Sequence, residues 1–198
     1  AINVFAGAAA HLQNDDIDTN LDVIKKSKIF LTQMETPDST TIYALKKAKD
    51  NGCLTILNPA PARKINENDF ELLDFFTPNE TEAEFYLNKK IETNTDIKNA
   101  AKEFLNRGVK NIIITLGEKG IYFANKNEEY FVDALKLKDE VVDTTGAGDA
   151  FNGAFAVALA NEHEYKDALI FANKVAGIST TRLGAASSMP TLNEVEEY

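Results

Sequence analysis

Short runs of β-branched and aromatic residues recur at Ile2–Phe5, Lys28–Thr32, Leu54–Leu57, Phe75–Thr77 and Asn111–Thr115. Each is nearly continuous in apolar character and too short for a helix, which is the pattern of strands buried on both faces. Helical periodicity fills most of the gaps. Over Asp38–Asp50 the residues Ile42, Leu45 and Ala48 share one side, and Gly52 supplies the stop. Asn79 followed by Glu82 has the spacing of a capping pair for the next helix, and a further helix near Ile97–Asn106 ends at Gly108. Strands alternating with helices predict a mostly parallel sheet with helices on its faces, an α/β fold.

Beyond Thr115 the rhythm changes. Short extended pieces at Ile121–Ala124, Glu129–Val132 and Val141–Val142 predict hairpin strands, and two mostly apolar helices follow at Ala147–Ala160 and Tyr165–Thr180. No repeat, low-complexity tract or linker divides residues 1–198, so a single α/β domain is expected.

Composition narrows the function. At 198 residues and 44% hydrophobic content the chain can bury a core, while a net charge of −10 opposes binding to a phosphate backbone, so no nucleic acid is expected. Cys53 is the single cysteine and lies in the apolar run Cys53–Leu57, where it reads as a reduced core thiol. That usage points to the cytoplasm, and no apolar stretch approaches the length of about twenty residues that spans a bilayer, so no membrane is expected.

The chemistry concentrates at Asp143-Thr144-Thr145-Gly146-Ala147-Gly148-Asp149. Small residues there let a ligand approach the backbone, and the N–H groups at a helix start favour an anion. A carboxylate would repel phosphate, so Asp149 makes sense as a base that takes a proton from an attacking hydroxyl. The alternative is an ordinary helix start with an acid in its first turn. Two other nucleotide signatures are missing: there is no Gly-x-x-x-x-Gly-Lys-[Ser/Thr], and no Gly-x-Gly-x-x-Gly follows the first strand.

This segment resembles the C-terminal signature of the ribokinase-like (PfkB) family of sugar and nucleoside kinases. Further similarities follow in order: Val4-Phe5-Ala6-Gly7, Gln33-Met34-Glu35-Thr36-Pro37, Asn58-Pro59-Ala60-Pro61-Ala62, Thr77-Pro78-Asn79-Glu80-Thr81-Glu82, Thr115-Leu116-Gly117-Glu118-Lys119-Gly120 and Arg182–Pro190. The resemblance implies a Rossmann-like ribokinase fold without the leading strands, the lid and several sugar contacts, as in a C-terminal portion of a longer kinase. It implies ATP-dependent phosphorylation of a sugar's primary hydroxyl, with ribose the first expected substrate and fructose, adenosine or another carbohydrate as alternatives. Asp149 matches the base, and the amides of Ala147, Gly148 and Asp149 match the anion hole. Asn79 and Glu82 match the element that organises Mg²⁺ and phosphate oxygens.

By the same resemblance Thr115, Leu116, Gly117, Glu118, Lys119 and Gly120 run along the nucleotide, Asn173 lies near the adenine, and Glu35 contacts the sugar. Asp143, Thr145, Ser179, Arg182, Gly184 and Ser188 match the positions around an activating K⁺. Full-length relatives of this kind pair through the lid, so a homodimer is implied for a longer parent. Bland alternatives stand beside each: a helix cap for Asn79 and Glu82, a β-turn for Thr115–Gly120, a solvated acid for Glu35, a capping or exposed amide for Asn173. Ala9 replaces the asparagine of the family's Gly-Ala-Asn-Ala segment, and His11 and His163 lack partners for a metal site or triad. Two rival functions are a non-catalytic nucleotide-binding fragment and a phosphate-binding regulatory module; the latter leaves Asp149 without a purpose.

Overall fold

The computed structural model describes residues 6–198, so the predicted strand at Ile2–Phe5 and the start of the Val4–Gly7 match lie outside the described residues. In chain order the main elements are α1 (Asn14–Thr19), α2 (Leu21–Lys25), β1 (Ile29–Thr32), α3 (Asp38–Asp50), β2 (Leu54–Leu57), β3 (Phe75–Phe76), α4 (Glu80–Leu87), α5 (Asn94–Asn106), β4 (Asn111–Thr115), β5 (Ile121–Asn125), β6 (Glu129–Val132), α6 (Ala147–Ala160), α7 (Tyr165–Ser179) and α8 (Leu192–Glu197). The six strands follow one another in the sheet in sequence order, and β1 through β4 run parallel. Their register sets Leu57 opposite both Thr32 and Phe76. The connections from β4 to β5 and from β5 to β6 are too short for a crossover, so those neighbours meet as hairpins. The sheet is thus mostly parallel and flanked by helices. Among the described residues no helix is long and apolar enough to cross a membrane.

The chain groups into two compact units, one running to Ile114 with Phe123–Glu129 and the other comprising Thr115–Tyr122 with Tyr130–Tyr198. In the first unit Ile56, Leu57, Phe75, Phe76, Ile112, Ile113 and Ile114 are fully buried, as expected of parallel strands covered on both faces. Each such side chain contributes roughly 1.5–3 kcal/mol of burial. Phe70, Phe76 and Phe104 build an aromatic layer, with Phe70 and Phe76 edge to face at 5.6 Å and Phe76 and Phe104 at 5.1 Å. Asp74 interrupts the buried apolar run of Leu73, Phe75 and Phe76 with a charge that is well paired: Lys110 at 2.6 Å, Lys49 at 3.3 Å and the Thr55 amide and hydroxyl each at 3.0 Å. Gly52 takes a φ of 84° just past α3, the left-handed stop its sequence position predicts.

In the second unit α6 and α7 pack on each other around Ala150, Val175 and Ile178, and Val195 of α8 joins them. One expected strand is not there. Val141 and Val142 form no ladder, and both are 58% exposed. Instead the Val142 and Asp143 amides donate to the Thr180 carbonyl at 2.8 and 3.1 Å, so the end of α7 supplies the partner that a neighbouring strand would have offered.

Candidate functional site

The Asp143–Asp149 stretch builds a helix start with few side chains in the way. Gly146 caps α6 in the left-handed region at φ 79°, and no side chain caps the helix end. A Cβ on Gly146 would make only an ordinary contact with Ala185 at 3.4 Å, so it is the backbone conformation that selects glycine. Gly148 is open, with nothing within 4 Å of the place a Cβ would occupy. Asp149 is exposed in the first turn beside it. The Ala147 amide points to the Thr144 carbonyl at 3.2 Å, which leaves the following turn to offer donors outward.

Asp143 fixes this loop. Its carboxylate accepts from the Thr145 amide at 2.9 Å and from the Gly184 amide at 3.0 Å, tying the helix start to the loop that carries Arg182–Ser188. The Thr145 side chain, the Thr145 amide and the Gly184 amide hold the Asp143 carboxyl below the ordinary value. Ser179 and Ser188, 1% and 0% exposed, turn their hydroxyls to the Ala176 and Ala185 carbonyls at 2.8 and 2.7 Å. The Arg182 guanidinium is held by Glu194 at 2.5 Å, so near this loop its carbonyl, not its charge, is what Arg182 can offer.

A cavity of about 560 Å³ opens beside the α6 start, wholly within the second unit. Thr115, Gly117, Glu118, Gly120, Gly148 and Asn173, all anticipated from sequence, lie on its lining, as does Ala147. Leu116 is buried under the turn and Lys119 is exposed; neither lines the cavity. At Gly120, φ is 96° and a Cβ would fall 2.0 Å from the Val132 carbonyl oxygen, so the turn cannot carry a side chain there. Sequence reasoning missed the apolar wall of Leu135, Leu137, Val141 and Phe151. The signal was the alternation of Leu135 and Leu137 with the exposed Lys136 and Lys138, which marks an extended segment with one covered face.

The remaining predicted residues belong to the first unit. Asn79 and Glu82 form a reciprocal cap on α4: the Glu82 amide donates to Asn79 Oδ1 and the Asn79 amide to Glu82 Oε2, both at 2.8 Å. Burial pushes the Glu82 carboxyl up, opposed by the Asn79 amide. Glu35 is exposed between β1 and α3. Among the described residues no three of His, Cys, Asp and Glu gather as a metal cage.

The pfkB family carbohydrate kinase profile matches residues 1–192. The chain belongs to that family. It is 37% identical over 197 residues to a ribokinase of Staphylococcus aureus, covering 99% of this chain and 64% of that protein. Among solved structures, the ribokinase of Thermotoga maritima superposes with a TM-score of 0.88 at 43% identity, covering all of this chain and 64% of the other. A ribokinase of Arabidopsis thaliana, complexed with ribose and ATP, gives a TM-score of 0.87 at 32% identity over 91% of this chain and 58% of its own. This pfkB-family chain therefore spans about 64% of the length of the first relatives it matches.

Proposed function

We propose that the polypeptide carrying this sequence is an ATP-dependent sugar kinase that phosphorylates the primary hydroxyl of ribose. The observation that carries the reading is an exposed carboxylate, Asp149, in the first turn of a helix whose start has no side-chain cap and opens beside a nucleotide-sized cavity. The ribose and ATP bound by the Arabidopsis relative support the choice of substrates.

In this reading ATP lies in the cavity, with Thr115–Gly120 along it, its nucleoside towards Asn173 and its phosphates towards Gly148. Asp149 takes the proton of the sugar hydroxyl as that oxygen attacks the γ-phosphorus; the bond to the β–γ bridging oxygen breaks and ADP departs. Amides at the start of α6, Gly148 and Asp149 foremost, stabilise the charge that spreads over the transferring group. Glu35 contacts the sugar.

Mg²⁺, when bound with the nucleotide, neutralises phosphate charge. Asn79 and Glu82 are the residues to hold it: the cap engages Glu82 Oε2, and a desolvated carboxylate beside an amide oxygen suits a hard cation that keeps several waters. Asp143 with the neutral oxygens of Thr145, Ser179, Arg182, Gly184 and Ser188 forms an all-oxygen set that suits K⁺ better than a transition metal.

Asp149→Asn tests the assignment. Turnover should fall about 10²–10⁴-fold while ATP affinity stays near that of the unaltered protein; unchanged turnover would remove Asp149 from the mechanism. A second reading, nucleotide binding without transfer, draws on the confinement of the cavity to one unit. It predicts ATP binding with no phosphorylation of ribose, fructose or adenosine.

A further inference from the structure

A continuous line of polar contacts runs from α8 back to the start of α6. At its far end Glu194 closes the cap of α8, with Oε2 accepting from the Thr191 amide at 2.7 Å and the Thr191 hydroxyl at 2.9 Å. The other carboxylate oxygen, Oε1, accepts from Arg182 Nη2 at 2.5 Å. Two residues on, the Gly184 amide donates to Asp143 Oδ2 at 3.0 Å. Asp143 Oδ1 in turn accepts from the Thr145 amide at 2.9 Å, one residue before the Gly146 cap of α6.

The loop that begins at Arg182 has little freedom between those pins. Gly184 takes a φ of 98°, and a Cβ there would fall 2.5 Å from Ser187 Oγ. The buried Ser188 hydroxyl donates to the Ala185 carbonyl at 2.7 Å. Helix α8 does not need the ion pair to stay in place, since Val195 joins the buried cluster of Ala150, Val175 and Ile178. Arg182 and Glu194 are 37% and 38% exposed, and a pair so placed adds little to global stability. What the pair fixes is where the loop enters.

We infer that Glu194 is a positioning residue for the anion site at the start of α6, acting through Arg182 and the Gly184, Asp143 and Thr145 contacts. The inference rests on the anion reading of that helix start and adds the residue that holds the loop behind it. The exposure of the pair bounds the effect at about fivefold on any equilibrium it biases.

Glu194→Gln separates capping from positioning. Glutamine serves the same cap, but an amide has one acceptor oxygen; with that oxygen on Thr191, its NH₂ group faces the guanidinium and the bond to Arg182 is lost. Arg182→Gln removes the same bond from the other side and leaves the cap of α8 untouched. The readouts are amide hydrogen exchange, thermal unfolding, ATP affinity and transfer from ATP to ribose. Each variant should exchange the Gly184 and Thr145 amides about fivefold faster and slow transfer by about the same factor, with a smaller change in ATP affinity and an unaltered Tm. The double variant should go no further than either single, because both act through one bond. Unchanged exchange at Gly184 and Thr145, additive losses in the double variant, or faster exchange spread over α8 with a lowered Tm would overturn the inference. If the unaltered protein binds ATP but phosphorylates no sugar, the kinase reading falls, while exchange at the two amides and ATP affinity still decide the role of Glu194. Transfer by the unaltered protein with exchange unmoved in both variants removes Glu194 alone, and absence of ATP binding by the unaltered protein overturns both.

Discussion

Helices α4 and α6 begin in opposite ways. At α4 the Asn79 and Glu82 side chains each take the other's amide at 2.8 Å, closing the helix end on itself, and Thr93 with Asp96 and Thr191 with Glu194 do the same for α5 and α8. At α6 the cap is Gly146, which makes no side-chain cap hydrogen bond, and Asp149 stands exposed in the first turn. A Ser, Thr, Asp or Asn cap on α6 would add about 1 kcal/mol. The chain uses that device at α4, α5 and α8, while α2, α3 and α7 do without it as α6 does; what sets α6 apart is the glycine at its cap with open space at Gly148, which is what the proposed anion site needs. Two acids differ in burial. Asp74 is buried and saturated by Lys110, Lys49 and Thr55, while Asp149 is at the surface of the site.

The largest effect expected is at the saturated acid. Asp74→Ala strands Lys49 and the Thr55 groups around an apolar hole and should lower unfolding free energy by about 2 kcal/mol, read by urea denaturation. Burial alone would raise the Asp74 carboxyl, yet Lys110, Thr55 and Lys49 hold it below the ordinary value. With the folded value below the unfolded one, its stabilisation is whole above pH about 3.9 and is lost as pH falls through the folded value. The variant should lack that part of the acid dependence; a variant that keeps it would reassign the acid transition elsewhere.

Next come the two glycines of the open helix start. Gly146→Ala forces a side chain to a φ of 79° against Ala185 and should cost about 1–2 kcal/mol in thermal or urea unfolding. Gly148→Ala separates stability from function. Its Cβ meets nothing, so stability should hold or rise, while ATP affinity should fall about tenfold if a phosphate lies against that backbone. Equal affinity would mean that the open amides hold no phosphate. The smallest effect is at the closed start, where Asn79→Ala should cost about 1 kcal/mol of unfolding free energy from the lost cap.

Much of the fold could be read from the chain because its cause is local in sequence. The runs at Leu54–Leu57 and Asn111–Thr115 are strands because nearly every residue in them is buried, and Asp38–Asp50 is a helix with its stop in Gly52. The start of α6 was legible for the same reason, since small residues followed by an acid state their own requirement. Val141–Val142 misled because two apolar residues carry no record of which backbone will pair with them; the free carbonyl of Thr180 decided it. Leu135 and Leu137 went unassigned as cavity wall because their conformation is set by clips distant in sequence, Asn173 among them. Asn173 itself was placed at the cavity by resemblance, but its bond to the Asp133 carbonyl across forty positions could be seen only in three dimensions.

The most direct measurement is phosphate transfer from ATP with Mg²⁺ to ribose, with fructose and adenosine as comparators, by the polypeptide that carries this sequence, with and without K⁺. The account predicts a phosphorylated ribose formed mole for mole with ADP. ATP binding with no transfer to any of the three acceptors would contradict it and leave the open helix start as a nucleotide-binding device alone.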